Sequence, residues 1–362
     1  MKLHFKLFLI AFATLISVSC VKNTPFLDAY SVPPVFNQES NDSTALARVI
    51  MAHGLANYLS NSVIETIDTA IVDSLWLNRG RQFTSSMVPD FVYDETMLNN
   101  MVGRISLASN TGDADSLKGL ADSVAILSRF FNVPAANGTA GVRTQNTPVS
   151  QKRLFNENGM EMQEVWFNTM LGANFMQNAF GNLAGPGQSV ALAWDVAYNY
   201  MGFPVNYDPE LDYYAGMARR NRPLGIAALF AGVKNLDAGA KIYEEFRRAK
   251  AAATAGDARV NAISITTIVG YTEVTLAQSA LFALDSVKQI ADPVAKLHYL
   301  SKAHGLIRAL KYRNSGVSPL SVEVYQQVRA IMKENFYTLT QDASYTKISQ
   351  AASLLFNAYN KQ

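Results

Sequence analysis

Cysteine is all but missing from this 362-residue chain: Cys20 is the only one, so no disulfide can form within it. Stability must come from packing, and with 49% hydrophobic residues the chain can bury one large core or two smaller ones. Excess charge is missing as well. The 31 Lys and Arg nearly balance 29 Asp and Glu, which leaves no cationic footprint for nucleic acid. No apolar run reaches the roughly 20 residues that a bilayer span requires, and the stretch from Leu7 to Val18 stops short. Histidine is scarce, four in all. There is no HExxH, no GxxxxGK[ST] phosphate loop, no Glu-x-x-His pair of the di-iron type and no nucleophile elbow. His298 and His304 are six residues apart, roughly 240° around a helix, so they cannot share a ligand.

What is present begins at the N-terminus. In "MKLHFKLFLIAFATLISVSC", Lys2 and Lys6 precede a short apolar core and small residues, the pattern of a secretory signal peptide over residues 1–19. Cys20 stands at the break. It resembles the lipobox cysteine of bacterial lipoproteins, although Ser17 occupies the place where a leucine is usual. That resemblance implies that the Cys20 thiol takes a diacylglycerol and becomes the new N-terminus. The lipid is then the membrane partner, in a bacterial cell envelope. Val21 suits an outer-membrane destination, and the acid-free "VKNT" lacks the acidic cluster of surface-displayed lipoproteins, which points towards the periplasmic face. Loss of Lys2 and Lys6 brings the formal charge from +2 to zero. Pro25, Pro33 and Pro34 mark residues 20–41 as lipid anchor and extended tether.

From residue 42 to 362 the chain reads as helix after helix, an all-α body of antiparallel helix bundles. Asp42 or Ser43 is placed to cap the first helix. Leu117, Leu120, Val124, Leu127 and Phe131 form one apolar stripe. Ser318 as cap and Pro319 at the first helical position predict a helix from there onward. "VNAISITTIVGYTEVTLAQ" is rich in β-branched residues, but its length and the following "AQSALFALDSV" favour helix. No period-2 strand series is expected. Loops are expected at "TPVSQ", 181–188, 202–210 and 314–319, with a subdomain break near 203–210.

Two clusters carry possible chemistry. Glu161 and Glu164 are neighbours at helical spacing and offer oxygen ligands to a hard metal ion. The bland reading is that both edge an amphipathic helix near its N-terminus, where acids oppose the dipole favourably. Trp194, Tyr198 and Met201 share a face next to Asp195, which is placed to be buried and paired.

"NGTAGV" at 137–142, "RLFNENGMEMQEVWFNTMLGANFMQNAF", "WDVAYNYMGFP" and "KAHGLIRALKYRN" occur in that order. Together they resemble an uncharacterised family of bacterial lipoproteins related to imelysins, over about residues 42 to 357. The resemblance implies an imelysin-like all-α body in two bundled halves and an association with iron or haem acquisition. Some imelysins are described as peptidases. Their Gly-x-His-x-x-Glu signature falls on Gly159, Glu161 and Glu164, with Glu161 in place of the histidine. Gly159, Glu161, Glu164 and Asp195 are thus the candidate binding residues, and Glu161 and Glu164 the candidate ligands for iron or another hard ion. The departures are Ala191, Leu192 and Ala193 before Trp194, Val196 after Asp195, and Arg308 after His304, where the family carries acids and histidines. They argue against retention of the family's metal site and against hydrolysis. The reading is therefore a non-enzymatic, lipid-anchored accessory binding protein. An imelysin-type peptidase and a structural subunit of a surface complex, with envelope protein partners, are the alternatives.

Overall fold

Polar side chains at chain reversals set where the helices begin. The computed structural model describes residues 30–39, 44–88, 95–100, 106–108, 111–184, 190–213, 222–232, 238–314 and 316–360. The signal segment, Cys20, the first part of the tether and the caps expected at Asp42 and Ser43 lie outside them. Helices α1 (Thr44–Ser60), α2 (Thr69–Leu77), α3 (Glu95–Asn100) and α4 (Ala114–Leu127) come first. Asp68 caps α2 by accepting from the Ala70 N–H. The stripe predicted on α4 buries Leu117 and Val124 fully, while Leu120 and Leu127 are half-buried.

A β-hairpin then interrupts the helices, which corrects the expectation of no strands. β1 (Gly141–Gln145) pairs antiparallel with β2 (Gln151–Phe155), with Gly141 opposite Phe155 and Arg143 opposite Arg153. The "TPVSQ" loop is its turn. The strands are five residues each, too short for their alternation to stand out against the flanking polar sequence.

Next come α5 (Met162–Met170), a π-helical segment (Leu171–Met176) and α6 (Gln177–Ala184), continuous with one another. Helices α7 (Val190–Met201), α8 (Gly225–Gly232), α9 (Ala238–Ala255), α10 (Ala258–Gln289) and α11 (Pro293–Ala309) follow. α10 is a single helix of 32 residues, about 48 Å long, and absorbs the β-branched stretch without a break. Asp257 caps it through the N–H groups of Arg259 and Val260. Asp292 does the same for α11, where Pro293 takes the first turn. The short connections make α9, α10 and α11 an antiparallel series, and α5 packs on α11.

The chain closes with α12 (Val322–Ile331), α13 (Phe336–Gln341) and α14 (Thr346–Tyr359). α12 starts later than expected. Ser321 caps it through the Val324 N–H, while the Ser318 hydroxyl donates to the carboxylate of buried Glu273 on α10. Tyr359 donates to the same carboxylate, which ties the loop before α12 and the C-terminal helix to the long helix. Burial pushes the Glu273 carboxyl above its usual range.

The buried apolar residues form one cluster that runs from Phe36 to Tyr359. Phe203 and Tyr207, where the sequence suggests a subdomain break, lie inside it. Among the described residues, no helix is long and apolar enough to cross a membrane.

Candidate metal centre

The turn before α5 sets the geometry. Asn156 accepts from the N–H groups of Asn158 and Met160. Gly159 holds φ +79°, and a Cβ there would press on Leu297 and Tyr337 at 3.1 Å. Gly159 therefore shapes the turn and the packing and offers no ligand atom of its own side chain. The turn brings the chain into α5 with Glu161 at the cap position, not on the helix as its spacing suggests. The Glu161 N–H donates to Ser301 Oγ on α11 at 2.8 Å, which fixes the residue against that helix. Glu164 sits in the first turn of α5, and its Oε2 accepts from Asn168 Nδ2 at 3.0 Å.

His298 on α11 completes the cluster. Its Nδ1 lies 2.8 Å from Glu161 Oε2. Glu161, Glu164 and His298 each present one ligand atom, and these atoms lie within 4.8 Å of one another. Metal–ligand bonds of about 2.0–2.6 Å bring donors to within about 4–5 Å of each other, so one ion can bridge this set. Two carboxylates and one imidazole form a mixed oxygen and nitrogen set, which suits iron, manganese or zinc better than a soft ion.

Arg153 on β2 occupies the same neighbourhood. Its Nη1 donates to Glu161 Oε1 at 3.1 Å and Oε2 at 3.2 Å, and lies 2.8 Å from His298 Nδ1. Nε and Nη2 are held by Gln145 and Gln151 of the hairpin. Both members of the Arg153–Glu161 pair are buried. His298 Nδ1 thus faces a guanidinium donor and a carboxylate acceptor at the same distance. One nitrogen cannot satisfy both, since it is either a donor or an acceptor. A cavity of about 10 Å³ touches Glu161 between α4, β2 and α5, room for roughly one water.

Asp195 does not join this centre. It is fully buried on α7 and ion-paired to Lys250 of α9 at 2.6 Å. Its other oxygen accepts from the Glu39 N–H, and Lys250 also donates to the Asn37 carbonyl. Around this pair, residues 30–39 pack on the body as a strap. Phe36 is buried, stacked on Tyr198 at 4.2 Å, and Gln38 donates to Asn199. Arg247 donates to the carbonyls of Pro33 and Pro34, and Tyr30 to Asp257. Asp195 is therefore the clasp of the strap, and removing one charge of such a buried pair costs about 3–5 kcal/mol.

Sequence spacing missed Arg153 and His298 because the hairpin and α11 bring them in from elsewhere in the chain. No protein-family model, curated protein or solved structure matches this chain.

Proposed function

We propose that this protein is a lipid-anchored component of a bacterial cell envelope that binds a single metal ion, with iron as the leading candidate. The convergence of Glu161, Glu164 and His298 carries this reading. The choice of iron and the envelope setting rest on the resemblance to imelysin-related lipoproteins and on the lipobox-like Cys20. The donor set fits iron, and the cavity beside Glu161 is the size of one water, which favours a bare ion over haem.

Arg153 is the resident cation when no metal is bound. It neutralises Glu161 and holds that carboxylate and the His298 imidazole together. Metal entry then requires the guanidinium to give up Glu161 and His298 while Gln145 and Gln151 retain its other nitrogens. Such exchange suits reversible uptake and release. The role is accessory binding without catalysis.

Anaerobic titration of the purified protein with Fe(II), followed by calorimetry, tests this. One ion per chain is expected. Glu164→Gln, which changes a half-buried side chain, should weaken binding by about tenfold or more while leaving the far-UV circular dichroism unchanged. Absence of stoichiometric binding by Fe(II), Mn(II) or Zn(II) sinks the proposal.

A further inference from the structure

A second site lies at the far end of α11, built from cations in place of acids. Arg308 of α11 and Arg329 of α12 are both half-buried, and among the described residues neither has a carboxylate within ion-pairing distance. Arg308 Nη2 reaches Ser116 Oγ at 3.4 Å, and its Nε is buried without a hydrogen-bond partner. Arg329 Nη1 lies 3.0 Å from His304 Nε2.

His304 decides how Arg329 is held. Its Nδ1 donates to the Met332 carbonyl, so Nε2 carries the lone pair that accepts from Arg329. The imidazole is buried and neutral. Burial first, then Arg329 and Arg308, push its pKa down to about 3. A protonated ring could not accept, and the arginine would lose its orientation. Burial lowers the tendency of both guanidinium groups to stay charged, Tyr325 opposes this at each, and Arg308 adds to the lowering at Arg329. Lys333 adds positive charge beside His304. Asp113 favours the charged form of Arg308 from beyond ion-pairing distance, but its hydrogen bonds go to Lys311 and to Tyr312 at 2.9 Å. Ser116 belongs to the first turn of α4, whose positive dipole end adds to the field.

Two half-buried arginines with no direct ion pair among the described residues, one of them with an orphaned Nε, are a costly arrangement for an uncomplexed protein. We infer that Arg308 and Arg329, with Ser116, form a binding site for a small tetrahedral oxyanion of the phosphate class. Arginine forks match such oxygens two at a time, and the incoming anion supplies the charge that the protein withholds. His304 is a positioning residue that aims Arg329. This site shares no residue with the Glu161 centre and stands or falls apart from it.

The test is thermal unfolding of the full chain in inorganic phosphate against chloride at matched ionic strength and pH 7.5. Phosphate should raise Tm with a dependence on the logarithm of its concentration, while chloride should not. Arg308→Gln and Arg329→Gln should each weaken the effect about tenfold or more, judged by circular dichroism to be folded. Vesicles of an anionic phospholipid form the second arm. Binding to vesicles but not to free phosphate would overturn the small-anion assignment in favour of a lipid headgroup. If phosphate gives no stabilisation beyond chloride in the unaltered protein, the site is refuted whatever the variants do. Equal stabilisation of both arginine variants refutes it as well.

Discussion

His304 is neutral in the folded chain down to a pKa of about 3, while in the unfolded chain it titrates near 6.5. The folded value is the depressed one, so its stability contribution is complete above about pH 6.5 and is lost as pH falls towards 3. Each pH unit in that window removes up to about 1.4 kcal/mol. Between pH 7 and 5.5, before carboxylates titrate strongly, the loss should be about 1 kcal/mol. Urea unfolding at both pH values measures it, and the His304→Gln protein should lack that share of the slope. The sequence marks His304 only as a lone histidine on a helix. Its burial comes from α12 and α13, which no spacing within α11 reveals. Glu161 and Glu164 show the converse. Their proximity is legible from three-residue spacing, but the third donor and the competing arginine arrive from other elements.

At the scale of elements, the join between α5 and α6 shows what packing demands of a sequence. The π-helical segment lets Gly172 approach the end of α11 so closely that a Cβ would sit 2.2 Å from the Ala309 carbonyl oxygen. Gly172→Ala should therefore lower stability by about 1–3 kcal/mol or more, because backbone must shift on one side. Gly119 is the contrast. It lies in α4 with nothing within 4 Å of its missing Cβ, so Gly119→Ala should raise stability by about 0.5–1 kcal/mol. Paired thermal melts decide both signs. Helices as such were legible, since stripes, caps and lengths all point the same way on α4, α10 and α11. The hairpin was not, because its strands gain their definition from Arg153 and Phe155 facing the body. The start of α12 was misplaced because Ser318 and Ser321 are equally good caps until Glu273 claims the first.

For the whole molecule, sequence indicates an all-α body and the structure is mostly helical, with one two-stranded sheet added. The inward packing of Phe203 and Tyr207 could not be read from the sequence, because both sit in a loop rich in breakers. The proposed attachment acts on the chain as a unit. Cys20→Ala should move the protein from the membrane to the soluble fraction of cells, and fractionation with immunoblotting reads this directly. Unchanged membrane retention would overturn the lipid anchor. The strap has an optical consequence. All three tryptophans, Trp76, Trp166 and Trp194, are buried. Trp194 meets Phe246 edge-on at 5.4 Å, and Phe246 in turn meets Phe36 of the strap at 5.9 Å. When residues 30–39 lift away, water reaches that aromatic chain and the emission of Trp194 shifts to the red. Trp76 and Trp166 supply a constant background. The protein thus carries a built-in fluorophore that reports whether residues 30–39 are docked or free.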